Sequence, residues 1–318
     1  MSAQQPAHPA DGTSPSRLWP YLLLTLAPLF WSGNIVVSRA LRADISPVAL
    51  TFWRWVVALA ILLPVTWPEL RRSWPVIRRR WKILVLLGLL GVFLYQMLAY
   101  QALALTTALN VLLISATAPL FIALVGWLGF GERITLRLAL AIALSLLGVG
   151  VVITRGDWAF LRQLRLNPGD LFMLAAVLVW AIYSNLLKRR PRELSQFALL
   201  ATTAVTGMAF TLPVYLWQRS AGVTVAWSPA TIMAVLYIGI FASVLAYVAW
   251  NQGVSLAGAN KAGLFINLMP LFGGALAMLF LGERPDVAYG VGALLVFAGL
   301  ALGASAPARR TRSNSAPS

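Results

Sequence analysis

The sequence predicts an all-α integral membrane protein with ten transmembrane helices, arranged as two inverted five-helix repeats. Three observations predict it. The first is composition: of 318 residues 60% are hydrophobic and only 11% charged, whereas a soluble domain carries about a quarter charged residues. The second is repetition. Asn110 to Arg133 reads NVLLISATAPLFIALVGWLGFGER, and 151 residues later Lys261 to Arg284 reads KAGLFINLMPLFGGALAMLFLGER. Pro119-Leu120-Phe121 returns as Pro270-Leu271-Phe272 and Gly131-Glu132-Arg133 as Gly282-Glu283-Arg284, with 13 identities over the 46 ungapped pairs that start at Gly88. A long internal repeat fixes the architecture before any local assignment is made.

The third observation is where the charge falls. The formal net charge of +16 invites a nucleic-acid reading, but its distribution opposes it. The N-terminal tail, every second loop and the C-terminal tail hold 17 of the lysines and arginines, the opposite loops hold 7, and Arg54 lies inside a span. Cytoplasmic loops concentrate Lys and Arg, so both termini are expected in the cytoplasm of a bacterial cell, with the chain in its inner (plasma) membrane. The expected partners are a small molecule and the lipid bilayer, with no nucleic acid. Five spans per copy is an odd number, so the second copy enters from the opposite face. Inverted repeats related by an axis in the membrane plane place a binding site near the midplane.

Crossing a bilayer takes about 20 mostly apolar residues, and ten segments qualify: α1 (18–38), α2 (47–67), α3 (82–101), α4 (107–128), α5 (135–153), α6 (170–188), α7 (195–217), α8 (230–252), α9 (259–281) and α10 (287–304). The domain division that follows is a disordered N-terminal tail 1–16, a first repeat 17–155, a second repeat 167–305 and a disordered basic tail 306–318. Both tails are too polar to bury a core. The first apolar run is a full span, so no cleavable signal peptide is expected.

In α1, Trp31, Asn34 and Ser38 share one helical face, and α6 repeats the pattern with Trp180, Tyr183, Ser184 and Leu187. Such a stripe is either aromatic packing or the wall of a cavity; a lipid-facing amide would be costly, so Asn34 tips α1 towards the cavity. Arg54 in α2 stands about 10 Å from the outer end at 1.5 Å per residue. It is a structural charge that snorkels or clamps, or a cation on the substrate path. The basic loop Arg71 to Lys82 suits anionic headgroups.

The polar helices are α3 and α8. Ser243, Tyr247, Trp250 and Asn251 form one stripe on α8, and the repeat register sets Val92, Gln96, Ala99 and Tyr100 at the same places on α3. Coincident stripes predict a shared cavity, with interhelical hydrogen bonding as the alternative. At the start of α4 and α9, Asn110 corresponds to Lys261. A lysine in the first turn opposes the helix dipole. It is there either as a topology charge or to attract a carboxylate together with the free N–H groups. Pro119 and Pro270, helped by Gly273, should kink α4 and α9. In α5 and α10, Gly148 matches Gly299, and Gly299-x-x-x-Gly303 permits close packing, within the molecule or between two copies. Monomer and homodimer both stay open.

All nine acidic residues lie in tails, loops or helix ends, the single histidine is His8, and there is no cysteine. No nucleophile–base constellation can be assembled, nor a metal site, so neither an enzyme nor a cofactor is expected. With no mid-membrane carboxylate, a cationic substrate is disfavoured.

Taken together, the 5+5 spans, Trp31-Ser32-Gly33-Asn34, Arg54, Ala118-Pro119-Leu120 and the twin Gly-Glu-Arg turns resemble the drug/metabolite transporter superfamily, EamA type, over about Leu18 to Ser305. Within it the chain looks most like bacterial YddG-type exporters of aromatic amino acids. The resemblance implies export by alternating access through a central cavity ringed by α1–α4 and α6–α9, with α5 and α10 set aside. Relatives with these motifs move other amino acids, metabolites, purines or drugs. The residues read from the sequence suit an aromatic zwitterion: Trp31, Tyr95, Tyr100, Trp180, Tyr183, Tyr247 and Trp250 for a planar side chain, and Asn34, Gln96, Asn110, Asn251 and Lys261 for its polar end. A membrane scaffold or receptor, the reading from another class, would need no open cavity.

Overall fold

The computed structural model describes residues 18–41, 43–106, 108–157, 167–281 and 287–304, and every regular element among them is helical. The two tails and the second Gly-Glu-Arg turn lie outside the described residues.

Nine helices among the described residues are long and apolar enough to cross a membrane. They are α1 (Trp19–Ala40), α2 (Pro47–Arg72), α3 (Trp81–Leu105), α4 (Asn110–Phe130), α5 (Leu136–Thr154), α6 (Pro168–Arg189), α7 (Gln196–Ser220), α8 (Pro229–Ala257) and α10 (Val287–Ala304). The tenth expected span, α9, is built in three pieces, Ala259–Phe265, a 3₁₀ turn Ile266–Leu268, and Met269–Leu281.

Helix starts follow local chemistry. The side chains of Ser46, Thr135, Ser195 and Ser228 each accept a first-turn backbone N–H, at 3.1–3.2 Å. Such caps satisfy donors that the helix itself leaves unpaired. Asn167 and Asp170 cap α6 reciprocally, with Pro168 in the first turn. At its far end α4 stops on Gly131, whose φ of 66° belongs to the left-handed region that glycine enters without strain. The first Gly-Glu-Arg motif is thus a helix stop.

Two irregularities obey the repeat. In α4 the helix breaks between Ser115 and Ala118, and in α9 it tightens at Ile266–Leu268. Both interruptions come just before the prolines, Pro119 and Pro270, each the second residue of the helix that follows. A proline ring collides with the carbonyl four residues back and offers it no N–H. The second irregularity is unannounced by the sequence: α3 widens into a π-helix over Gly88–Leu94 and α8 over Ile238–Leu245, the same place in the two copies.

Packing respects the duplication as well. Where α3 packs on α6, α8 packs on α1; where α4 packs on α6, α9 packs on α1; and α2, α4 and α5 each pack on their own copies α7, α9 and α10. The α5–α10 contact is close. A Cβ on Gly148 would lie 2.7 Å from the Gly292 carbonyl oxygen, and one on Gly299 2.8 Å from that of Ala141. These glycines therefore serve an internal contact. The Tyr21 hydroxyl donates to the carbonyl of Ala304 at 3.3 Å, so α1 begins where α10 ends, at one end of the bundle. Leucines such as Leu140, Leu171, Leu279 and Leu294 face outward, and Trp67, Trp74 and Trp81 stand exposed around the short helix Trp74–Arg79. Tryptophan beside arginine at such a level is the pattern of a headgroup interface.

Candidate functional site

Between α1, α3, α4, α6 and α9 lies a narrow cavity of about 50 Å³. Its wall uses the later halves of α1 and α3 and the earlier halves of α4 and α6. It therefore opens towards the end of the bundle opposite the start of α1. The wall is largely apolar, with Ile35, Leu103, Val111, Met173 and Val177, and is closed at depth by Ile266 and Met269 at the break in α9. Trp31, Tyr95 and Trp180 supply aromatic surface: the Trp180 ring stands 4.8 Å from Tyr95 and 5.1 Å, edge-on, from Trp31. The polar side chains at the wall are Asn34, Gln96, Tyr100 and Ser115.

Behind the wall sits Arg54, with no exposed surface. Snorkelling is thereby excluded. Its Nε donates to Ser243 Oγ at 2.7 Å, and its Nη1 donates to Gln96 Oε1 at 2.9 Å and to the Tyr100 hydroxyl at 2.5 Å. None of these partners is a carboxylate, and Nη2 has no hydrogen-bond partner among the described residues. Arginine can only donate, so it orders every proton around it. Gln96 must offer its oxygen to Arg54 and thus donates from Nε2 to the Tyr247 hydroxyl at 2.8 Å; Tyr247 passes its proton to the Gly91 carbonyl. Tyr100 accepts from Arg54 and donates to Asn34 Oδ1 at 3.2 Å, which also accepts from Ser38 at 3.1 Å.

Of the twelve residues expected to touch substrate, Trp31, Asn34, Tyr95, Gln96, Tyr100 and Trp180 line this cavity and the other six stand away from it. Tyr247, Trp250 and Asn251 are 1% exposed or less and Tyr183 is 2% exposed. Tyr183 donates to Asn251 Oδ1 at 2.7 Å, closing α6 on α8 towards the end where α1 begins. The two polar stripes thus part company: the α3 stripe faces the cavity and the α8 stripe is packed. Inversion explains this, because equivalent faces in the two copies look towards opposite ends of the bundle. Asn110 donates to Asp170 Oδ1 at 3.0 Å, beside a 2.7 Å bond from Thr106, and so ties α4 to the capped start of α6. Lys261 donates to the Ala304 carbonyl at 3.0 Å, where a cation at the last turn of α10 is favourable. It therefore stands apart from this cavity.

The closed end has its own network, which the sequence reading missed. Lys188 Nζ binds Glu132 at 2.6 Å and Asn185 Oδ1 at 2.8 Å, and Asn185 Nδ2 donates to the Ile122 carbonyl at 3.0 Å. Asn185 is the repeat partner of Asn34, 151 residues on, a signal that the register offered. Here Trp250 Nε1, Asn251 Nδ2, Ser184 Oγ and both polar atoms of Asn267 are buried without a hydrogen-bond partner among the described residues. Each such group costs about 1–3 kcal/mol.

The sequence profile described as the EamA-like transporter family matches twice, at residues 18–154 and 167–304. An uncharacterized transporter of Archaeoglobus fulgidus is 30% identical over 283 residues, 89% of this chain and 96% of its own. The uncharacterized transporter YyaM of Bacillus subtilis is 26% identical over 88% of this chain and 92% of its own. A solved crystal structure superposes with a TM-score of 0.71 at 22% identity, over 90% of this chain and 96% of its own.

Proposed function

The chain belongs to the EamA-like transporter family, and from that membership and the cavity we infer that it exports amino acids, aromatic and other neutral ones, by alternating access. It is a multi-pass membrane transporter, and its relatives are transporters rather than enzymes. The observation that carries the finer reading is a cavity walled by Trp31, Tyr95 and Trp180 with Asn34, Gln96 and Tyr100 at one side. Stacked and edge-on rings favour a planar side chain, and the amides face its polar end. With the termini in the cytoplasm, the cavity is open to the outside and shut on the cytoplasmic side.

The inverted repeat supports a second, inward-open state. Opening between α6 and α8 hydrates Asn251, Ser184 and Asn267, while the inverted copy closes the outer end. Under the repeat, the bond from Asn185 to the Ile122 carbonyl maps onto one from Asn34 to the Gly273 carbonyl, which would form when the outer end closes.

Purified protein in liposomes loaded with unlabelled phenylalanine is the test. We expect counterflow uptake of labelled phenylalanine that falls at least about tenfold in Trp180→Ala, as loss of a large buried ring implies. Exchange no faster than in empty liposomes would sink the amino-acid reading and favour another small metabolite on the same fold.

A further inference from the structure

We propose that the cavity recognises the carboxylate of its substrate, through Asn34 Nδ2 backed by the buried charge of Arg54, and that it does not recognise the amine. This deepens the transport reading and rests on it. Arg54 is a full positive charge with no exposed surface and no carboxylate among its partners. A buried ion in that condition is poorly compensated. The chain of hydrogen bonds points its charge one way: Arg54 donates to Tyr100, and Tyr100 donates to Asn34 Oδ1. With Oδ1 also held by Ser38, the Asn34 carboxamide is polarised and its N–H groups become stronger donors. Those N–H groups have no partner among the described residues and are not sealed from the cavity that Asn34 lines. The wall thus offers a free donor with a cation behind it.

No charge complementary to an ammonium lines the cavity: among its described residues none is acidic. Asn34 Oδ1 accepts from Tyr100 and Ser38, and Gln96 Oε1 from Arg54. The hydroxyls of Tyr95 and Ser115 remain as neutral acceptors, weaker partners for a cation than a carboxylate. The indole faces of Trp31 and Trp180 attract cations in principle, but Arg54 opposes them at short range. The ligand class is therefore an aromatic or apolar body carrying a carboxylate, with the amino group dispensable.

Calorimetric titration of purified protein in detergent tests this with four compounds: phenylalanine, hydrocinnamate, phenylalaninamide and phenethylamine. The expected result is that hydrocinnamate binds at least as tightly as phenylalanine, and that both bind at least about tenfold more tightly than the amide and the amine, the worth of a hydrogen bond to a charged group. Asn34→Ala should shrink the ratio of acid to amide to below about threefold. Tyr100→Phe, which keeps Asn34 but cuts its link to Arg54, should shrink it as well, so the idea stays testable if one variant fails to fold. Amide binding as tight as acid, amine binding tighter than acid, an unchanged ratio in both variants, or no binding by any of the four would each overturn the proposal. Phenylalanine counterflow that is absent while the acid preference stands would remove the transport reading alone.

Discussion

Arg54 shows how one residue type organises a site. Because a guanidinium has donors and no acceptor, it fixes the orientation of two carboxamides and two phenols, Gln96 and Tyr247 on one branch, Tyr100 and Asn34 on the other. Burying an incompletely paired cation costs stability, while removing it leaves the acceptors on Ser243, Gln96 and Tyr100 without its N–H groups, and the two effects oppose each other. We predict that Arg54→Met keeps a thermal midpoint near the wild type's, while counterflow falls at least about tenfold. A drop in midpoint with transport retained would reverse that assignment and make Arg54 a structural clamp. Tyr247→Phe should behave in the opposite sense. It removes the donor to the Gly91 carbonyl and the acceptor for Gln96 Nε2, and should destabilise by about 1–3 kcal/mol in chemical denaturation.

Two contacts between elements make predictions of their own. Glu132 at the end of α4 and Lys188 at the end of α6 hold the closed side at 2.6 Å, both about one-third exposed. Screening limits such a pair to about 0.2–1 kcal/mol, enough to shift an opening equilibrium several-fold. The chain has no cysteine, so a single Ser184→Cys reports directly. We expect a polar maleimide to reach it slowly, and about two- to fivefold faster when Glu132→Gln is added; equal rates would deny the pair any part in closure. The α5–α10 contact carries more. Gly148→Leu drives a side chain into the Gly292 backbone and should cost about 1–3 kcal/mol, as overpacking does, visible as a lower melting temperature of the monodisperse protein.

At the scale of the molecule, inversion accounts for both the success and the limits of the sequence reading. Composition, alternate basic loops and the ungapped repeat were enough for an all-helical two-copy membrane fold, because each reports a property summed over many residues. The site was legible on the α3 face, where Gln96 and Tyr100 meet Asn34 and Trp31. It was not legible on the α8 face, because superposing copies by sequence ignores that one of them is upside down. The partner of Lys261 was not legible for a related reason: it is the end of a helix 43 residues away, a contact with no local signature. The shared end of α1 and α10 carries a last prediction. Cysteines placed at Ser16 and Ser313 should both react with an impermeant reagent only from the cytoplasmic side, and labelling of either from outside would invert the topology.

The paired π-helices have a consequence of a different kind. The carbonyl of Gly91 in the first accepts the Tyr247 hydroxyl, and the carbonyl of Ala242 in the second accepts Trp31 Nε1 at 3.1 Å; Gly91 and Ala242 are the same position, 151 residues apart. A π turn takes in one residue more than an α turn, so its simplest origin is a single inserted codon in a helix that was once regular. At one register in both halves, each of these carbonyls receives an aromatic donor from the other half, so the same backbone atom stitches the two copies together in both directions.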